Sequence, residues 1–236
     1  MGSWNNFYKQ LITYNGYKDV VRGLGATIEI AICGLIIGIV IGTIIAVIKV
    51  MPKYKVVPRI LEKVCDVYVA LFRGTPMVVQ LLIGNFVLLP MLGIVVDGIL
   101  VAIIVFGLNS AAYVSEIMRS GIQSVDAGQL EAGRAVGLPY SVAMMKIVIP
   151  QSIKNILPTL GNEFIVLIKE TSVVSFIAVV DLTKAFRQIG DANYDYIIPY
   201  LCLALVYLVL VLLITLLIRF IERRMKRDER SSNPVG

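Results

Sequence analysis

Residues 24–48 read LGATIEIAICGLIIGIVIGTIIAVI, an apolar run whose only charge is Glu29. Crossing the hydrocarbon core of a bilayer takes about 20 apolar residues in helical form, and this stretch is long enough. Gly34, Gly38 and Gly42 recur every four residues along it, so they share one stripe of a helix. A stripe of small residues lets a second helix approach closely. It suits either a seam with another subunit or packing within the chain.

The rest of the chain has the same character. Hydrophobic residues make up 58% of the 236 residues and charged residues 16%, with a mean hydropathy of +0.83. Soluble domains run at roughly 45–50% apolar and about 25% charged. Gly74–Val96 and Gly98–Ser115 carry no charge, and Ile197–Ile218 is a clean final span. Ile147–Val180 is long enough to cross but is interrupted by Lys154, Glu163, Lys169 and Glu170, and it reads as a fourth span with a polar interior. The expected fold is therefore an all-α integral membrane protein with five transmembrane helices, forming one transmembrane domain over 1–236. That length leaves no room for an added soluble enzyme. Cys33, Cys65 and Cys202 lie far apart within apolar segments and read as small buried hydrophobes. The polar and aromatic first twenty or so residues show no apolar signal-peptide core.

Orientation follows from the distribution of Lys and Arg, which accumulate on the cytoplasmic side. Lys49, Lys53, Lys55, Arg59 and Lys63 follow the first span, and Arg119, Arg134 and Lys146 the third. The tail, 219–236, holds Arg219, Arg223, Arg224, Lys226, Arg227 and Arg230. The other side holds Asp97 in one loop and the mixed charges Asp181, Lys184, Arg187, Asp191 and Asp195 in the next. Lys9, Lys18 and Arg22 near the N-terminus weigh the other way but are outnumbered. The expectation is an N-terminus outside, a C-terminus inside, and a cytoplasmic loop over 121–139. Residues 1–23, mixing aromatic with polar side chains, suit an interfacial segment. The net charge of +6 is accounted for by these loops and does not call for a nucleic-acid partner.

Within that loop, 128–139 reads GQLEAGRAVGLP. Asp126 can cap a helix over 127–136, and Gly137 followed by Pro139 is a stop signal. Ser141 can then cap the next helix. A helix this short has little stability of its own, yet its small residues leave backbone open to a partner surface. The bland reading is a solvated loop with a weak Glu131–Arg134 surface pair.

A longer pattern favours the partner. Glu131-Ala132-Gly133, three residues, Gly137, nine residues, then Ile147-Val148-Ile149-Pro150 resembles the EAA signature of ABC importer permeases, E-A-A-x3-G-x9-I-x-L-P. It departs only in Gly133 for Ala and Ile149 for Leu. RGTPMVVQ at 73–80, NSAAYVSEIMRSGIQSV at 109–125 and KETSVVS at 169–175 are similar to the polar-amino-acid branch of that family. The resemblance implies a permease that pairs with a second copy or a close homologue. Two cytoplasmic ATPase subunits and an extracytoplasmic solute-binding protein would complete the machine in the cell membrane. Gly128, Glu131, Ala132, Gly133, Arg134, Gly137, Leu138 and Pro139 would then form a coupling helix that docks on an ATPase. The chain has no phosphate-binding G-x-x-x-x-G-K-[ST] loop, no His and no clustered metal ligands. It is expected to be no enzyme and to hold no cofactor or metal, with ATP-Mg bound by the partner.

Ionisable residues inside spans are functional candidates by default. Glu163 follows Asn162 in the interrupted span, and Glu170 lies seven residues on, on the same helical face. With Thr171 and Ser172 they suit a cationic solute, and the resemblance then implies arginine, lysine or histidine. The alternative is that Glu163 pairs internally with Lys169 or Arg73. Thr75, Gln80, Asn85, Asn109 and Tyr113 are further candidates for the pathway, or for hydrogen bonds between helices. Gly74 and Pro76 around Thr75 predict a bend. Two rivals remain: a permease of the same family for a neutral or amide amino acid, and a free-standing secondary transporter. The latter ordinarily shows paired repeats with broken helices in both halves, and no second half resembles the first.

Overall fold

The computed structural model describes residues 2–51 and 56–232, with side chains through Met225. Met1, Lys53 and Lys55, residues 233–236, and the side chains of Lys226, Arg227 and Arg230 lie outside the described residues. Among the described residues every regular element is helical. In chain order these are α1 (Gly2–Tyr8), continued by a π-helical Lys9–Thr13; α2 (Gly16–Val50); α3 (Val56–Gly74); α4 (Met77–Ile83), which runs through a π-helical Gly84–Leu88 into α5 (Leu89–Met91). Then come α6 (Gly98–Gln123), α7 (Ala127–Ala135), α8 (Tyr140–Ala143), a π-helical Met144–Val148, and α9 (Ile149–Glu170). A 3-10 segment Thr171–Ile177, α10 (Leu182–Asp191) and α11 (Ile197–Ser232) complete the chain.

Helices α2, α6 and Ile197–Met225 of α11 are long and apolar enough to cross a bilayer. Helices α3 and α4–α5 make a fourth crossing if the pair counts as one span, and they meet at a bend of 106°. The expected span Gly74–Val96 thus begins at the break itself, with a helix extending back from it to Val56. The interrupted segment is helical over Tyr140–Glu170, but its charges keep α9 out of the apolar set. Helix α6 runs eight residues beyond the expected end at Ser115, to Gln123.

The glycine stripe seats α2. A Cβ on Gly34 would stand 3.1 Å from Phe106 Cβ, on Gly38 2.8 Å from Ser110 Cβ, and on Gly42 2.9 Å from Val114 Cβ. The stripe therefore packs within the chain, and the rising register makes α2 and α6 parallel. A Cβ on Gly121 would collide with Ile156, while Ser110 meets Glu163, so α9 runs antiparallel to α6. Gly161 sits against Ile218, and Lys154 and Pro158 line one cleft with Glu222 and Met225, so α11 runs antiparallel to α9. Val50, Gln123, α7, the start of α9 and Met225 consequently lie at one end of the bundle. Helix α10 and the start of α2 lie at the other.

At that second end Phe7, Leu182, Phe186 and Ile189 form a buried cluster. The segment 1–23, expected as one interfacial piece, is divided: Asn15 turns the chain at φ 62, and Gly16 onward already belongs to α2. The central core gathers Ile30, Leu81, Phe106, Leu167, Ile168 and Val174 from α2, α4, α6, α9 and the 3-10 segment. Leu205, Leu208, Leu212 and Leu216 of α11 remain exposed, as expected of a helix that faces lipid. Cys33, Cys65 and Cys202 are free thiols.

Candidate functional site

The break between α3 and α4 follows from Thr75-Pro76. Proline lacks an N–H and biases the preceding residue away from helix, so carbonyls before it lose their helical donors. Inside a bilayer such groups must be met by protein or by water in a cavity. Here the Thr75 hydroxyl donates to Leu71 O at 2.8 Å. The Gln80 amide donates to Phe72 O at 2.8 Å and Thr75 O at 3.0 Å. Asn109 of α6, nearly fully buried, donates to Gln80 Oε1 at 2.9 Å. Thr75, Gln80 and Asn109 are therefore brought together, and each of them serves the break. The predicted bend and the three polar residues are one device that fastens the α3–α4 corner to α6.

Tyr113 lies one turn along α6 from Asn109 but faces a different space. The Arg73 guanidinium sits over its ring, 5.3 Å from the centroid. Both line a cleft of about 360 Å³ that also takes in Ser120, Asn155 and Thr159. The Asn155 amide donates to the Ser124 hydroxyl at 2.8 Å, tying α9 to the end of α6 just before α7.

Glu163 occupies the interface of α9 with α6. It is 9% exposed and accepts a hydrogen bond from the Ser110 hydroxyl at 3.3 Å. Among the described residues it has no salt bridge. Lys169 is exposed, and Arg73 is engaged with Tyr113. Glu170 lies two turns on and is half-buried, whereas Asn162 is exposed. Thr171 is fully buried, its hydroxyl donating to Ile168 O at 2.7 Å, and Ser172 is half-buried beside it. Asn85 lies in the π-helical turn after α4, half-buried. The structure thus does not gather the candidate residues at one point. It places them at the α3–α4 corner, in the Arg73–Tyr113 cleft, at the Glu163–Ser110 contact and at the end of α9.

The short helix α7 forms as expected. Asp126 caps it by accepting from the Gly128 amide at 2.6 Å. Gly137 ends it at φ 87, a left-handed conformation that costs a residue with a Cβ roughly 1–2 kcal/mol. The Leu138 amide reaches back to Gly133 O at 3.2 Å. Ser141 does not cap the following helix: α8 starts directly after Pro139 with no side-chain cap, because the proline ring already holds helical φ. Gly133 is the one buried residue of α7, and a Cβ there would stand 2.8 Å from Ile147 Cδ1 and 3.3 Å from Ala143 Cβ. Gly128, Glu131, Ala132, Arg134, Gly137 and Pro139 are exposed and Leu138 is half-buried. Glu131 and Arg134 form no salt bridge with each other.

One charged network was not anticipated as a unit. Lys49 Nζ of α2 lies 2.6 Å from Glu116 Oε1 and 2.9 Å from Asp66 Oδ1. Arg119 Nη2 lies 2.7 Å from Glu116 Oε2. This alternating chain joins α2, α3 and α6 at the α7 end of the bundle. Its sequence signal is Asp66 alone in the apolar run VCDVYVALF. Ser110, the partner of Glu163, stands out only as one polar residue in an apolar stretch.

Residues 34–227 match the family model described as "Binding-protein-dependent transport system inner membrane component". The chain belongs to this family. Its members are permease subunits of ABC transporters and not enzymes, with ATP hydrolysis carried out by a partner ATPase. The chain is 38% identical to the arginine transport system permease protein ArtQ of Bacillus subtilis, over 89% of this chain and 94% of the relative. It is 39% identical to GlnP of Rickettsia bellii, a permease named for glutamine transport, over 87% of this chain and 92% of the relative. A solved structure described as "Crystal structure of an amino acid ABC transporter with histidines" superposes with a TM-score of 0.82 at 37% identity, covering 92% of this chain and 98% of that one.

Proposed function

We propose that this chain is the membrane-spanning subunit of an ATP-driven importer of amino acids, with a preference for those bearing a positive side chain. The observation that carries the preference is Glu163, a buried carboxylate whose only partner among the described residues is the Ser110 hydroxyl. Leaving a charge without a counter-ion in a low-dielectric region is costly. A cationic solute passing along α9 relieves that cost. The resemblance to ArtQ, named for arginine, agrees with this preference. The resemblance to GlnP supports the second reading, an importer of an amide amino acid.

The chain crosses the membrane five times, α9 being the polar crossing. Its 22 residues span about 33 Å at 1.5 Å per residue, enough for a hydrocarbon core of about 30 Å. The N-terminus is outside and the C-terminus inside. Support comes from the gathering of Lys49, Arg119, Arg134, Lys146, Arg219 and Arg223 at the α7 end of the bundle, as the positive-inside tendency requires. Helix α7 is the coupling helix, seated in a groove of an ATPase that binds ATP-Mg. Two such permeases, identical or closely similar, work with two ATPases and an extracytoplasmic solute-binding protein in the cell membrane. Closure of the ATPases draws the coupling helices together, and the pathway alternates between two states with different affinity for the solute.

Glu163→Gln in the reconstituted complex tests the preference. Loss of a charge-assisted contact of about 1.5–3 kcal/mol lowers arginine and lysine uptake on the order of tenfold or more. Uptake of a neutral amino acid changes less than about twofold. Equal losses for both kinds of solute would make Glu163 a structural residue and remove the basis for the preference.

A further inference from the structure

Arg73 is a cation whose purpose the fold leaves open. It sits at the end of α3, immediately before the 106° break. It forms no salt bridge among the described residues, and its one neighbour of note is the Tyr113 ring at 5.3 Å. Glu116, the acidic residue at the edge of the same cleft, does not neutralise it: both Glu116 oxygens are taken by Lys49 and Arg119. A guanidinium stacked on an aromatic face keeps its fork of N–H donors free in its own plane. That fork matches a carboxylate with two parallel hydrogen bonds. The cleft around it, about 360 Å³ with Ser120, Asn155 and Thr159 on its walls, falls in the size range of sites for small molecules.

We propose that Arg73, presented by Tyr113, binds the α-carboxylate of the transported amino acid in this cleft. The inference rests on the reading that the solute is an amino acid but not on the charge of its side chain. Every α-amino acid carries this carboxylate, and Glu163 cannot serve it. Ser110, which holds Glu163, and Tyr113, which carries Arg73, are three residues apart on α6, a rise of about 4.5 Å. A solute at Arg73 thus has the opposite charge one turn further along the same helix. The α3–α4 corner, fixed to α6 through Gln80 and Asn109, sets the position of Arg73 against that turn. Thr75 and Gln80 thereby position the cation without touching solute.

The test measures equilibrium binding to the purified permease–ATPase complex without its binding protein, so that no other protein reads the carboxylate. Two pairs of probes are used: L-arginine with its decarboxylated form agmatine, and L-glutamine with 4-aminobutanamide. The wild-type complex prefers the acid of at least one pair by roughly 10- to 100-fold, the range for a charge-assisted pair. Arg73→Gln abolishes that preference by weakening the acid to the level of its decarboxylated form, and Arg73→Lys retains part of it. Tyr113→Leu, which leaves the guanidinium in place but unsupported, reduces the preference by a smaller factor. An unchanged preference in Arg73→Gln overturns the proposal while leaving the amino-acid reading intact. No binding of any probe to the wild-type complex overturns both. Binding that falls equally in Arg73→Gln and Arg73→Lys, for all four probes alike, makes Arg73 structural and also overturns it.

Discussion

The contact between α2 and α6 yields a paired test within a single helix. Gly38→Ala and Gly25→Ala are the same chemical change in α2. A Cβ at position 38 would stand 2.6 Å from Ser110 Oγ, 2.8 Å from Ser110 Cβ and 3.2 Å from the Ser110 backbone carbon, whereas at position 25 nothing lies within 4 Å. Carbon atoms in optimal contact are about 3.5–4.0 Å apart, so α2 and α6 must separate by roughly 1 Å to admit the methyl group. The backbone carbon at 3.2 Å means that rotating the Ser110 side chain cannot relieve the clash. Overpacking of this kind costs about 1–3 kcal/mol. The gain from replacing a helical glycine is about 1 kcal/mol, leaving a net loss of up to about 2 kcal/mol at Gly38. At Gly25 only the gain of about 1 kcal/mol remains. For a chain of this size each kcal/mol moves the midpoint by about 2–4 °C, so thermal unfolding in detergent should show opposite shifts. The clash also falls on the hydroxyl that donates to Glu163, so Gly38→Ala should reduce arginine uptake in surviving protein. Equal melting of the two variants would refute the packing argument. So would a Gly38→Ala protein that melts normally but fails to associate with a second permease, which would make the stripe a subunit seam.

The charged network at the α7 end should behave as one unit. Lys49 is 11% exposed, so a double-mutant cycle of Lys49→Met and Glu116→Gln should give a coupling of about 1–3 kcal/mol in unfolding free energy. Additivity within about 0.5 kcal/mol would show that the pair is idle. Glu131→Arg on the exposed face of α7 should leave membrane insertion and melting unchanged while ATPase co-purification falls sharply. Intact ATPase binding together with intact transport would contradict docking through this helix.

Local features of the chain were legible because near neighbours decide them. The apolar runs commit α2, α6 and α11 to a membrane, since a backbone in hydrocarbon must satisfy its own hydrogen bonds. Thr75-Pro76 marks the break, Asp126 the cap and Gly137 the left-handed stop, each through constraints that act over a few residues. The periodicity of Gly34, Gly38 and Gly42 reveals a close approach but not its partner, because a stripe shows which face packs and not what packs on it.

Polar partners were a different matter. Glu163 was open to Lys169 or Arg73, yet it meets Ser110, 53 residues away. Lys49 read as a loop charge, yet it meets Glu116 at a separation of 67 residues. Gln80 and Asn109, candidates for a pathway, both turn to the Phe72 carbonyl beside the break. Which polar groups meet depends on the rotation and register of whole helices about one another. The sequence by itself determined that this chain is a bundle of membrane helices with a short capped helix of the permease family at one end. Only the tertiary structure decided that α2 rides on α6, that Arg73 lies over Tyr113, and that Glu163, among the described residues, meets a hydroxyl instead of a cation, because those outcomes are set by packing between segments far apart in the chain.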